Sequence, residues 1–463
     1  MSKNIVKKVV AGGYCVGCGG CSVYDEKVTI KENNIGSYVA EIKEETMDGI
    51  DSVCPFSSVI NEDDIAEELY SESDHFDKRV GYFRGVFTGY VDEGSYRENG
   101  SSGGVTTWVL QQLLEQKKID GVIHVGSSTA TGTLFEYKIS ENIDEVLENS
   151  KSRYYPVHFD SVLNEIKKTN KVYAFVGVPC FIKSVRLLMK ADSDLRNRIK
   201  YCLAIFCGHT KSKSFSEMIG WQMGIQPKNI KKIDFRIKND KPPVNNYSVE
   251  VTGLVGTENV VRQEEIKNLY GLDWGVGYFK LKACDWCDDI AGETADITCG
   301  DAWLPEFTNE TKGTNIIVVR NREIHEILRK GVRQDKLRLT TQSVDRVYES
   351  QAGNYRHRQE GLSYRVEEAT VKKIWAPTKR VAQSSFDVSS ARKKIYLLRG
   401  ALASKSHENF QKAIKGGAFS QFWLRNILLE LRYCYYTSGL LSGIKRNIRL
   451  MIAYYKRNNQ RNL

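Results

Sequence analysis

Cys15, Cys18 and Cys21 stand at i, i+3 and i+6, and Cys54-Pro55 follows later in the chain. Three thiols so close together must wrap around one point. They therefore constrain the opening segment more than any other feature. Thiolates favour iron–sulfur centres or zinc. A zinc site is expected as two separated CxxC pairs, whereas a CxxCxxC run closed by Cys-Pro matches the spacing of a cluster-binding segment. Gly17, Gly19 and Gly20 fit this reading, because they let the backbone turn tightly and bring amides near sulfur. The bacterial two-cluster spacing places its fourth cysteine where this chain has Asp25. The fourth thiolate is then expected from Cys54, the nearest candidate. Residues 27–42 alternate loosely around Asn33-Asn34 and Gly36, which predicts a hairpin inserted in the loop. Zinc, or cysteines that are only structural, are the competing readings.

A chain of 463 residues can bury a large core and has the length of two to four domains. It has 11 cysteines, and Met1–Val10 lacks the long apolar stretch of a secretory signal. A reducing cytoplasm is expected rather than a disulfide scaffold. No window of 18 uncharged apolar residues occurs, so no spanning helix is predicted. The net charge of +10 is uneven. Residues 371–463 carry 19 Lys and Arg against 3 Asp and Glu, a balance of +16, which leaves residues 1–370 at −6. The basic character belongs to the C-terminal region and does not mark the body as nucleic-acid binding.

After the cysteine segment, residues 61–80 read as a short helix and linker. The body then alternates. Val86–Val91, Gly121–Gly126, Lys171–Gly177 and Tyr201–Phe206 are predicted strands, and Gly103–Gln116, a stretch through Met189, and Phe215–Met223 are predicted helices. Val249–Leu254 and Asn315–Arg320 suggest further strands. This alternation indicates an α/β core. Residues 371–463 show helical pieces without a strand ladder.

Four body cysteines, Cys180, Cys207, Cys284 and Cys287, lie in loops. Cys180 and Cys207 follow predicted strands, where ligands of open α/β sheets gather. Cys284-Asp285-Trp286-Cys287 is a CxxC pair. Together they supply four thiolates, enough for one cubane cluster; a redox dithiol or buried inert cysteines are the plainer readings. Cys202 falls inside a strand pattern and is expected in the core, while Cys299 is a reserve ligand or a small core side chain. Gly100-Ser101-Ser102-Gly103-Gly104-Val105-Thr106-Thr107 opens a predicted helix. Its amides and hydroxyls suit a phosphate, although it is neither a dinucleotide fingerprint nor a P-loop. A glycine-rich helix cap explains it almost as well.

In combination, several stretches resemble a known family. They are Gly100–Thr107, Gly177-Val178-Pro179-Cys180, Ile205-Phe206-Cys207-Gly208, Cys284–Cys287 with Ala295–Asp301, and Lys312–Arg320. The body is similar to the beta subunits of deazaflavin-coenzyme (coenzyme F420) hydrogenases and dehydrogenases, a family that includes the ferredoxin-dependent hydroxymethyl-chlorophyll reductase. The resemblance covers about residues 1–330. It implies FAD and two 4Fe–4S clusters. Cys15, Cys18, Cys21 and Cys54 would hold one in a ferredoxin-like module, and Cys180, Cys207, Cys284 and Cys287 would hold the other. It further implies that Gly100, Ser101, Ser102, Gly103, Gly104, Thr106, Thr107, Lys312 and Asn315 lie against the flavin, with Asp301 near flavin or substrate. His209, Lys183 and Asp301 are the candidate catalytic groups; a loop histidine, a solvent-facing lysine and a turn aspartate are the plainer readings.

The expected layout is a mixture of α+β and α/β. It comprises a cluster module and linker over residues 1–78, a central flavin and cluster domain over 79–370, and a mostly helical basic region over 371–463. The expected activity is a flavin-dependent iron–sulfur oxidoreductase. Electrons would pass from a one-electron donor such as ferredoxin through both clusters to FAD and an organic substrate. The alternative is an electron-transfer or deazaflavin-coenzyme-oxidising subunit of a larger redox complex. The C-terminal region interleaves cations with Tyr433, Tyr435, Tyr436, Tyr454 and Tyr455. That mix suits an anionic membrane surface on the inner face, docking to an acidic partner, or packing on the body. A membrane location would make a glycan- or lipid-linked substrate attractive. Nucleic acid is not expected, and self-association into a homo-oligomer is left open.

Overall fold

The computed structural model describes residues 5–43 and 46–459. Met1–Asn4, part of the basic start read above, lies outside them.

The cysteine-rich opening folds as a helix, Ile5–Ala11, a glycine-rich loop, a short helix, Gly20–Tyr24, and the expected hairpin. Strands Val28–Glu32 and Tyr38–Ile42 pair antiparallel, with Asn33 accepting the Ile35 and Ser37 amides at the turn. The predicted linker helix is Glu62–Tyr70, started by a reciprocal Asn61–Asp64 capping box.

The body is built on one eight-stranded mixed sheet. Its spatial order is Leu337–Thr341, Gly85–Val91, Asn315–Val319, Ile297–Asp301, Ile199–Ile205, Tyr173–Gly177, Gly121–Ser127 and Phe135–Ser140. The four strands from Ile297–Asp301 to Gly121–Ser127 run parallel; the flanking pairs are antiparallel. Successive side chains alternate faces. Ala174 and Val176 pack with Val105, Trp108 and Ile324 from helices Val105–Glu115 and Arg322–Arg333, whereas Tyr173 and Phe175 pack with Ile182, Val185 and Leu163 on the other side. This second face also receives Val9, Tyr14, Val16 and Cys18, so the opening segment shares a core with the body.

A second sheet, Ile230–Ile237, Ser248–Val255 and Glu258–Glu265, is antiparallel throughout. It shares a core with helix Ser214–Gln222 and with the last three helices, Ser390–Lys415, Phe419–Tyr436 and Leu440–Asn459. The expected mixture of small N-terminal sheet, larger central sheet and mostly helical C-terminal region is the observed one.

Candidate functional site

The first cysteine set surrounds one cavity. Cys15, Cys18, Cys21 and Cys54 line it together with Val6, Val9, Ile30 and Ala40. Gly17 takes a left-handed φ of 66°, and a Cβ there would stand 2.3 Å from the Tyr38 carbonyl oxygen. Only glycine fits that approach, and the same turn aims the Gly17 amide at the Cys15 sulfur, 3.4 Å away. Burial is the main reason the Cys18 thiol is pushed up to about 11 and the Cys54 thiol to about 12. The Cys21 thiol is raised by burial and then by the charges of Cys18, Cys15 and Cys54. The charges of neighbouring thiols thus add to burial in disfavouring ionisation at Cys18, Cys21 and Cys54.

The second set gathers at the carboxyl ends of the parallel strands. Cys180 opens helix Pro179–Ala191 directly after Tyr173–Gly177, Cys207 follows Ile199–Ile205, and Cys284 sits on the 3₁₀ turn Lys282–Trp286 with Cys287 just beyond. Burial raises the Cys180 thiol first, then the charges of Cys287, Cys207, Cys284 and Cys18. Polar donors face these sulfurs. The Thr210 amide lies 3.3 Å and its hydroxyl 3.1 Å from Cys284 Sγ. Arg358 Nη1 lies 3.4 Å from Cys287 Sγ, and Arg358 Nη2 donates to the Gly208 carbonyl, next to Cys207, at 2.8 Å.

The two sets adjoin. Phe159 donates its amide to the Cys18 carbonyl at 3.0 Å, and the Cys18 thiol lies 3.6 Å from Ser184 on the Cys180 helix. The Tyr14 ring, next to Cys15, meets Trp286 of the CxxC turn edge-on at 5.4 Å. Cys202 and Cys299 belong to neither set. Cys202 is fully buried, and its amide donates to Asp296 at 2.7 Å. Cys299 is buried in the core cluster that includes Val105 and Val109 of helix Val105–Glu115.

The glycine loop occupies the join between that helix and the sheet. A Cβ on Gly103 would stand 2.6 Å from the Gly89 carbonyl and 2.7 Å from Asn315 Oδ1. Ser102 donates to the Thr314 carbonyl at 2.8 Å, and Asn315 Oδ1 accepts the Val105 amide at 3.2 Å. Asn315 thus caps the helix, taking an amide the sequence offered to a phosphate. Ser101 Oγ accepts the Ser152 amide at 2.8 Å. Gly100 accepts the close approach of Tyr96, whose carbonyl would be 2.8 Å from a Cβ. Thr107 is partly buried in the first helical turn. Three cations not anticipated from sequence converge here. Arg236 donates to the Ser101 carbonyl and to Asp301, both at 2.9 Å. Lys238 donates to the Ser102 carbonyl at 2.8 Å, and its ammonium is lowered to about 8 by burial and then by Arg236 and Arg97. Arg97 stacks 3.4 Å over the Tyr90 ring. No sequence signal could have found Arg236 and Lys238, because they reach the loop from the second sheet.

The remaining candidates are dispersed. Asp301 ends a central strand and holds Arg236. Lys312 is exposed and pairs with Glu98 at 3.3 Å. Lys183 is buried in an ion pair with Glu62, 3.1 Å away, and does not face solvent. His209 is buried against Trp274, with ring centroids 4.5 Å apart, and among the described residues its Nε2 lacks a hydrogen-bond partner. Burial, then the charges of Lys211 and Lys280, hold His209 well below the usual histidine range. Among the described residues no three His, Cys, Asp or Glu side chains are arranged to hold a single metal ion.

Two adjoining sets of buried and half-buried thiols, in a fold that also carries a glycine loop contacted by cations, fit a redox protein. The sequence agrees with that class. Residues 86–164 match the model of the N-terminal part, and residues 170–345 that of the C-terminal part, of the coenzyme F420 hydrogenase/dehydrogenase beta subunit. The chain belongs to that family. Membership supports a redox role. It is 26% identical over 234 residues to an uncharacterized protein of Methanocaldococcus jannaschii, covering 49% of this chain and 57% of that one. It is 22% identical over 380 residues to the coenzyme F420-dependent sulfite reductase of the same organism, covering 78% of this chain and 53% of that one. The chain therefore spans little more than half the length of these two relatives. A chain of the F420-reducing [NiFe] hydrogenase complex from Methanosarcina barkeri superposes with a TM-score of 0.48 at 16% identity, covering 66% of this chain and 98% of that one.

Proposed function

We propose that this protein is the electron-transfer subunit of a larger redox assembly, exchanging electrons with a deazaflavin coenzyme by way of two 4Fe–4S clusters and FAD. The observation that carries the reading is the adjacency of the two four-cysteine sets across Tyr14, Trp286 and Ser184. Four thiolates around a multi-iron core need not close on one ion position, so cluster ligation asks for a shared pocket rather than for a single-ion site. When bound, clusters carry single electrons, and a flavin exchanges single electrons for hydride equivalents.

The chain's own residues have definite tasks in this scheme. Cys15, Cys18, Cys21 and Cys54 would hold the N-terminal cluster, and Cys180, Cys207, Cys284 and Cys287 the body cluster. The Gly17 amide, Thr210 and Arg358 point hydrogen-bond donors at sulfur, which favours the thiolate and tunes potential. Arg97, Arg236 and Lys238 would receive the phosphates of FAD beside Gly100–Thr107, with Asp301 orienting Arg236. His209, kept neutral by burial and by the charges of Lys211 and Lys280, can accept or donate one hydrogen bond at Nε2 toward a bound ring.

A self-contained reductase fed by ferredoxin is the second reading. The fused N-terminal cysteine module favours it, because it gives the chain its own one-electron input. One experiment tests both. Protein purified anaerobically is analysed for iron, sulfide and flavin, then mixed with reduced deazaflavin coenzyme or reduced ferredoxin. About eight irons and one FAD per chain, with bleaching by the reduced deazaflavin coenzyme and no turnover of organic acceptors without a partner subunit, support the subunit reading. Turnover by the isolated chain with ferredoxin supports the second. Material without iron after cluster reconstitution removes both.

A further inference from the structure

The last two helices leave a line of large apolar side chains uncovered. On Phe419–Tyr436, Leu424, Leu428 and Tyr435 are 64%, 73% and 63% exposed. Their spacing of i, i+4 and i+11 sets them opposite Phe422 and Trp423, which are buried against the body. On Leu440–Asn459, Leu441, Ile448, Ile452 and Tyr455 are 74%, 53%, 51% and 52% exposed. Positions i, i+7, i+11 and i+14 form a second stripe on one face. Cations follow the stripes. Lys445, Arg449 and Lys456 run along one edge of the second, and Arg425 and Arg432 flank the first; all five are exposed. Among the described residues Arg425, Arg432, Lys445 and Lys456 form no ion pair.

We infer that this face rests on an anionic lipid bilayer, with the Leu440–Asn459 helix lying in the plane of the headgroups. The inference stands on surface chemistry alone and does not depend on the redox reading. Three features select a bilayer. First, a twenty-residue helix is ~30 Å long, yet no described helix is long and apolar enough to cross a membrane. A helix with a narrow apolar stripe and a cationic flank lies at an interface rather than spanning it. Second, seven large side chains exposed in two lines exceed what a charge-driven protein contact uses, because such contacts are read by complementary rims. Third, the surrounding region carries 19 Lys and Arg against 3 Asp and Glu, which complements anionic headgroups.

The test uses the full-length protein and flotation with vesicles of phosphatidylcholine alone or mixed with phosphatidylglycerol. The protein should float with the anionic vesicles, with roughly tenfold or greater preference over neutral ones, and binding should fall as salt is raised. Leu441→Ser/Ile448→Ser/Ile452→Ser should lower binding by about tenfold or more without changing circular dichroism or the visible spectrum. Lys445→Gln/Lys456→Gln, which removes no packing, should lower only the anionic component, again by about tenfold. Failure to float, equal binding to neutral vesicles, or unchanged binding by both variants overturns the inference. A stable dimer in solution that the triple serine variant dissociates also overturns it, and assigns the face to a second copy of the chain.

Discussion

At the scale of single residues, the sharpest consequences come from polar groups that the fold has buried. His124 lies in Gly121–Ser127, the strand next to the sheet edge, with Nε2 2.8 Å from Ser140 Oγ on the edge strand. Burial, then the charges of Lys138 and Arg153, lowers its imidazole to about 4. The unfolded chain protonates this ring below about 6.5, so protons favour the unfolded state between about 6.5 and 4. Stability supplied by neutral His124 is complete above that window and is lost as pH falls through it, by about 3 kcal/mol. Denaturant unfolding of wild type and His124→Gln at pH 7 and pH 4.5 should show a flatter dependence in the variant; equal slopes would contradict the burial argument. Gly103 gives a second test. A methyl there meets the Gly89 carbonyl at 2.6 Å and Asn315 Oδ1 at 2.7 Å. Gly103→Ala should cost about 1–3 kcal/mol, and in the proposed function should also lower the flavin content of purified protein. Retained stability and flavin would show that the join can yield.

At the scale of elements, legibility followed the range of the forces involved. The CxxCxxC turn and its hairpin are local, and both were readable from spacing and turn residues. So were the strands with uninterrupted Val, Ile and Phe runs, such as Tyr173–Gly177. Ile297–Asp301 carries no strand signal of its own in the sequence, because Cys, Gly and Asp within five residues have little strand preference. Its neighbours on either side, Ile199–Ile205 and Asn315–Val319, make it a strand. Phe135–Ser140 is an edge strand in which Phe135, Tyr137 and Ile139 alternate with Glu136 and Lys138, a period-two signal legible in the sequence. In the candidate site, the cysteines announced themselves, whereas Arg358, Arg236 and Lys238 did not. A lone cation in sequence carries no sign of which distant loop it reaches.

Lys183 shows the same limit from the other side. Its place just after Cys180 offered a catalytic reading, but helix Pro179–Ala191 turns it against Glu62 of the linker helix. The pair clamps the cysteine module to the body. Removing one partner of a buried pair leaves a charge without compensation and costs about 3–5 kcal/mol. Lys183→Met should therefore lower unfolding stability by about that amount, and Lys183→Met/Glu62→Leu should recover most of it. A proton-donating lysine would behave differently, losing turnover in both variants while stability stayed unchanged.

At the scale of the whole molecule, the C-terminal region is a wall of the body as well as a carrier of charge. Phe422 is fully buried and stacks on Phe279 with centroids 5.5 Å apart; Trp423 stacks on Tyr270 at 4.5 Å; Phe410 meets Trp221 edge-on at 5.8 Å. Polar contacts cross the same seam, with Tyr278 donating to Glu430 at 2.8 Å and the Phe279 amide to Ser406 at 2.9 Å. The Phe279 amide and the Tyr278 hydroxyl lose these partners if the helices are removed, and a buried unpaired donor costs about 1–3 kcal/mol. Phe422→Ala should cost about 3–5 kcal/mol by cavity formation, read by denaturant unfolding. Truncation before Ser390 should be far more severe, exposing a contiguous aromatic face that drives aggregation. Such a truncated chain, recovered as a monomer with native circular dichroism, would show that the helices are an appendage. The expected insolubility instead ties the two faces of the same helices together. Their inner aromatics complete the fold around Tyr278 and Phe279, which precede the CxxC turn in the chain.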